Sequence, residues 1–181
     1  MSMKNLTDSE LLLLGLVAEM PRHGYELEQV IEQREMREWT QIGFSSIYYV
    51  LGKLEERGFV KAGVPASAKA KKTFAITDAG KATLVDQTIT ALKSVRPAHP
   101  SLLLGMLHWS VLTRAQALDA LQARKHAMEQ ERERIKDIQF SQQPLPDFVD
   151  AVFDFSIGQL DAEQAWIEKT LDYMQTKPWD T

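Results

Sequence analysis

Ser45, Ser46, Tyr48, Tyr49 and Lys53 fall within one short stretch of the chain. Small hydroxyls at a helix start can bond phosphates or base edges, and Lys53 supplies a point charge. Interleaved with them, Ile47, Val50, Leu51 and Leu54 recur three and four residues apart, which predicts a helix with its apolar stripe buried and its hydroxyl side outward. A second group, Lys69, Lys71 and Lys72, follows beyond Gly58. Together they have the chemistry of a surface that accepts a polyanion; the bland alternative is that these lysines merely solubilise an exposed hairpin.

Total charge argues the other way, because 25 acidic against 21 basic residues leave a net charge of −4. Position resolves the conflict. Residues 8–38 carry eight acidic and three basic side chains, whereas residues 44–83 carry seven basic (Lys53, Arg57, Lys61, Lys69, Lys71, Lys72, Lys81) and three acidic, a local +4. A polyanion is therefore expected on one face and repelled from the rest.

The elements that must hold these residues are legible in part. Thr7-Asp8-Ser9-Glu10 forms a capping box ahead of a helix over 11–19 that is apolar all round, so it must pack against more than one neighbour, a second subunit among the candidates. Pro21 and Gly24 mark a turn. Tyr25, Leu27, Val30 and Ile31 predict an amphipathic helix from 25 to about 36, and Gly58 is placed to end the helix that starts at Ser45. Segments 59–63 and 72–76 read as two strands around a Pro/Ala/Ser/Lys tip, and Thr77-Asp78 caps a helix carrying Leu84, Val85, Ile89 and Leu92 before Pro97 and Pro100.

The remainder reads as all helix: 101–109, a long helix opened by the capping box Thr113-Arg114-Ala115-Gln116, a turn over 142–146, and a last helix to about 176. On that last helix Ile157, Leu160, Gln164, Ile167, Leu171 and Met174 form one stripe, and Phe148, Val152, Phe155, Ala162, Trp166 and Tyr173 form another. One chain does not easily cover both.

Helix, helix, helix, two-stranded hairpin, helix is the order of a winged helix-turn-helix, whose third helix enters the major groove while the hairpin meets the backbone. The expected fold is mainly α: a winged helix with a two-stranded wing in residues 1–96 and a helical dimerisation domain in residues 97–181.

Leu14-Gly15-Leu16, His23-Gly24-Tyr25-Glu26-Leu27, Trp39, Ser45-Ser46-Ile47-Tyr48, Leu51, Lys53-Leu54-Glu55-Glu56-Arg57-Gly58, Lys71-Lys72 and Ile76-Thr77-x-Ala79-Gly80 resemble, in order and spacing, the PadR-type transcriptional regulators across residues 6–90. Gly158, Ala165-Trp166 and Leu171 resemble the last helix of the subgroup with a long C-terminal dimerisation region. The resemblance implies a homodimeric winged-helix repressor and, in some members, an effector pocket for phenolic acids or multidrug-like aromatics. Three features depart from the pattern: Tyr49 stands where the family often has Pro, Lys71-Lys72 replaces a pair usually containing Arg, and residues 65–68 lack the usual glycines. Lys does not reproduce a bidentate Arg contact, so the wing is expected to touch phosphates.

Other chemistry is poorly supported by the residues present. There is no cysteine, which removes disulfides and thiolate sites and suits a cytoplasmic location. His23, His99, His108 and His126 have no metal spacing and no nucleophile beside them, so no metal, cofactor or catalytic residue is expected and His23 reads as structural. Asp147, Asp150 and Asp154 share a face but suit a solvated first turn. Both apolar stretches, 11–18 and 102–107, are far short of the roughly 20 residues that span a bilayer, and no cleavage site follows Lys4, so neither membrane nor export is expected. Trp109 and Trp166 have the broad faces an aromatic effector would stack on, although core packing is the commoner role. The expected partners are double-stranded DNA, a second copy and a small effector; the alternative is a winged-helix protein-interaction module without specific DNA binding.

Overall fold

A computed structural model describes residues 5–38, 42–63, 72–95 and 101–176. Trp39, the tip over 65–68, Lys69, Lys71 and His99 lie outside the described residues, as does the side chain of Ser45. The chain divides into two compact units, Met1–Arg96 and Pro97–Thr181.

In the first unit, α1 (Asp8–Glu19) begins at the expected capping box: the Glu10 backbone N–H donates to Thr7 Oγ1 at 3.2 Å and the Thr7 N–H to Glu10 Oε2 at 2.8 Å. Glu10 is itself buried and accepts from Arg57 at 3.2 Å, so a capping residue also anchors the end of a distant helix. The all-apolar run packs against α3, α4 and β3, defined below, which is the multiple burial its composition requires.

Helix α2 (Gly24–Gln33) stops short of the expected end near residue 36. Glu35 takes a positive φ of 50° and the chain tightens into a 3-10 turn at Met36–Glu38, because no apolar side chain between Ile31 and Met36 continues the buried stripe. Helix α3 (Phe44–Glu56) ends in a Schellman motif: the Phe59 N–H donates to the Leu54 carbonyl and the Gly58 N–H to the Glu55 carbonyl, both at 2.9 Å, with Gly58 at φ +74°.

Two strands are expected, and three are present among the described residues. β1 (Arg22–His23), β2 (Val60–Ala62) and β3 (Thr73–Ile76) form an antiparallel sheet in the order β1-β3-β2, with Arg22 opposite Phe74, His23 opposite Thr73 and Lys61 opposite Ala75. A two-residue strand after Pro21 has no alternation to read; it exists because β3 offers it a free edge. The Thr77 side chain then caps α4 (Asp78–Lys93), accepting from the Gly80 N–H at 3.0 Å and donating to the Gly58 carbonyl at 2.7 Å. Leu13, Leu14, Leu27, Ile47, Leu51 and Leu54 close the core of this unit.

The second unit begins with α5 (Ser101–Leu107), which ends before the expected residue 109; i→i+3 bonds from the His108 and Val111 N–H groups lead into a 3-10 turn at Trp109–Val111. Its body is a hairpin of α6 (Arg114–Ser141) and α7 (Asp147–Thr176). Arg114 bonds the Met174 carbonyl, Arg124 pairs with Glu163 at 2.6 Å, Arg132 with Asp161, and Gln139 donates to Asp150 at 2.8 Å, so the helices run antiparallel along their length. Ala117, Leu121, Met128, Ile167, Leu171 and Met174 make the seam. Among the described residues no helix is long and apolar enough to cross a membrane.

Candidate nucleic-acid interface

Burial of Ile47, Val50, Leu51 and Leu54 fixes which side of α3 faces out. That side carries Tyr48 and Tyr49, 51% and 64% exposed, and exposed Lys53, with half-buried Ser46 at the first turn. Ser45 belongs to the same helix turn. The Lys53 ammonium stands 4.5 Å from the centre of the Tyr49 ring, the i, i+4 partner expected on a helix face. The Tyr49 hydroxyl holds that ammonium above the usual lysine range.

On the hairpin, Lys72 is exposed at the entry to β3 and Lys61 is exposed on β2, while the Gly63 N–H closes the base onto the Thr73 carbonyl at 2.7 Å. Lys61 lies outside the contact set expected from sequence, although it belongs to the basic stretch 44–83. The local basic surplus is smaller than the count suggests. Arg57 is paired to Glu10 and lies 4.8 Å over the Phe59 ring, and Lys81 pairs with Asp78 at 3.3 Å. Lys53, Lys61 and Lys72 are the exposed cations left on this side among the described residues.

The opposite electrostatic character of residues 8–38 is built in. Arg34 makes a two-pronged contact to Glu19 at 2.6 and 3.0 Å, which holds the Glu19 carboxyl below its usual range, and Arg22 adds a contact at 2.8 Å. Arg37 is shared by Glu28 and Glu32. The arginines of this stretch are consumed internally, leaving its surface acidic.

His23 is structural, as its surroundings in sequence suggested: Nδ1 lies 3.0 Å from Thr73 Oγ1 across the β1–β3 pairing. Asp150 and Asp154 accept hydrogen bonds from Gln139, and Asp150 also from Gln143 at 3.3 Å. Trp109 and Trp166 are half-buried and pack against the same α6–α7 seam. Neither lines the polar groove of about 370 Å³ between those helices, whose walls include Glu129, Arg132, Asp161, Gln164 and Glu168.

Residues 13–86 match the model of the transcriptional regulator PadR-like family. Among solved structures, Bacillus subtilis PadR in complex with p-coumaric acid is 22% identical, with a TM-score of 0.75 over 92% of this chain and 98% of that one. The same protein in complex with operator DNA is 21% identical, with a TM-score of 0.72 over 91% and 98%. A PadR-like transcriptional regulator from Bacillus cereus is 20% identical, with a TM-score of 0.67 over 94% and 100%. No curated protein matches the chain. At these identities the structural likeness is one of fold.

Proposed function

We propose that this chain, which is PadR-like over residues 13–86 and in its fold, is a cytoplasmic DNA-binding transcriptional regulator that represses as a homodimer on a pseudo-palindromic operator. The carrying observation is the outward face of α3, where Tyr48, Tyr49 and Lys53 are exposed beside half-buried Ser46, with Lys61 and Lys72 on the hairpin of the same unit. Helix α3, with Ser45 in its first turn, would enter the major groove, and the wing with Lys69, Lys71 and Lys72 would hold phosphates. Two copies would set half-sites roughly 34 Å apart.

Dimerisation is supported by the second unit, where the stripe of Phe148, Phe155 and Tyr173 on α7 is exposed while the stripe of Ile167, Leu171 and Met174 is buried. A small aromatic effector, the class that p-coumaric acid represents for Bacillus subtilis PadR, is proposed to act through Trp109 and Trp166.

Ser46→Ala, Tyr48→Phe and Lys53→Ala should each weaken binding in a mobility-shift titration by about 2- to 10-fold, the worth of one hydrogen bond or charge contact, with the oligomer unchanged. Wild-type binding by all three would mean that another element reads the DNA.

A further inference from the structure

Gly24 opens α2, directly after the β1 strand that pairs with the wing, and the ring of Tyr48 fills the space that a side chain at position 24 would take. A methyl group there would stand 2.5 Å from Tyr48 Cε1, 2.8 Å from Cζ and 3.1 Å from Cδ1. Those distances are well inside van der Waals contact, so any side chain at position 24 must drive the ring off its seat. The residue before it, His23, is held to Thr73 by the β1–β3 pairing and by the 3.0 Å contact of its ring, and Thr73 directly follows Lys72. One dipeptide thus touches both elements of the proposed DNA surface: the side chain of α3 that is half exposed and the strand that carries the wing.

We propose that Gly24 is a positioning residue for DNA recognition, seating the Tyr48 ring at a fixed place on α3 relative to the wing. The role needs the absence of a side chain; Gly24 touches no DNA itself. A Cβ at position 24 would displace the Tyr48 ring, and its hydroxyl with it, from this place on α3. Held there, the hydroxyl is presented in one direction, which favours discrimination among sequences over bulk affinity. This inference rests on the reading of α3 as the DNA-contacting helix.

The test is a double-mutant cycle of Gly24→Ala and Tyr48→Ala in the full chain, titrated on two duplexes: one recovered by the wild-type protein from a randomised pool, and a scrambled duplex of equal composition. Gly24→Ala should lower binding to the selected duplex about tenfold when Tyr48 is present and less than about twofold when position 48 is Ala, because contacting residues couple and separated ones add. Binding to the scrambled duplex should be unchanged. Equal losses in both backgrounds, or no loss in either, would overturn the positioning role while leaving α3 as the DNA helix. Failure of the wild-type chain to bind any duplex would instead remove the reading beneath it and the inference with it. Should Gly24→Ala fold poorly, recovery of the folded state by adding Tyr48→Ala supports the seat, and no recovery contradicts it.

Discussion

Within Met1–Arg96, Leu13, Leu14, Leu27, Ile31, Ile47, Leu51 and Leu54 are wholly shut from solvent, whereas in Pro97–Thr181 Ile167 alone reaches that state among the described residues. The body of the second unit is two long helices with a single seam. Phe140, Phe148 and Phe155 remain 83%, 74% and 66% exposed on them, an unusual outlay of aromatic surface for a monomer. The first unit has its own outward apolar row, Val85, Ile89 and Leu92 on α4, but its core is complete without it. A winged helix that closes its own core can present polar residues such as Tyr48 and Lys53 on a rigid frame, and a two-helix hairpin that does not must find another surface. The difference is what supports the proposal of binding for one unit and assembly for the other.

The comparison breaks most readily on α7. Phe148→Glu with Phe155→Glu should weaken self-association on the order of 100-fold or more, since each buried Phe is worth about 1.5–3 kcal/mol, and sedimentation velocity would show the shift to monomer. The urea transition of the first unit should not move. If the double variant stays dimeric, the exposed stripe is not the assembly surface.

A change in the other unit should act in the opposite sense. A Cβ at Gly80 would stand 2.0 Å from the Phe59 carbonyl oxygen, a backbone atom fixed by its bond from the Thr77 N–H at 3.0 Å. Gly80→Ala should therefore destabilise the winged helix by about 2–3 kcal/mol in urea unfolding and leave the oligomer intact. Coupled loss of both would show that the units do not fold independently.

What the sequence made legible follows from how local each determinant is. The caps at Thr7, Thr77 and Thr113 use side chains three residues from their partners, and Gly58 ends α3 through bonds within one turn, so pattern alone found them. Strand β1 was missed because its determinant, β3, lies about fifty residues on. Arg57 reads as surface charge in the sequence, whereas in the fold Glu10, 47 residues away, holds it. Gly24 looked like a turn residue; its contact with Tyr48 exists only in the folded chain. The outward row of α3 is readable because one helix carries it, and the pairing of β1 with the wing is not.

The smallest expected effect bears on the central claim most directly: the salt dependence of DNA binding by the wild-type chain and by a Lys53→Ala, Lys72→Ala variant. Log K against log salt should fall with a shallower slope in the variant, by about 0.9 for each phosphate that the protein no longer neutralises. A slope equal to that of the wild type would contradict the assignment of α3 and the wing to DNA.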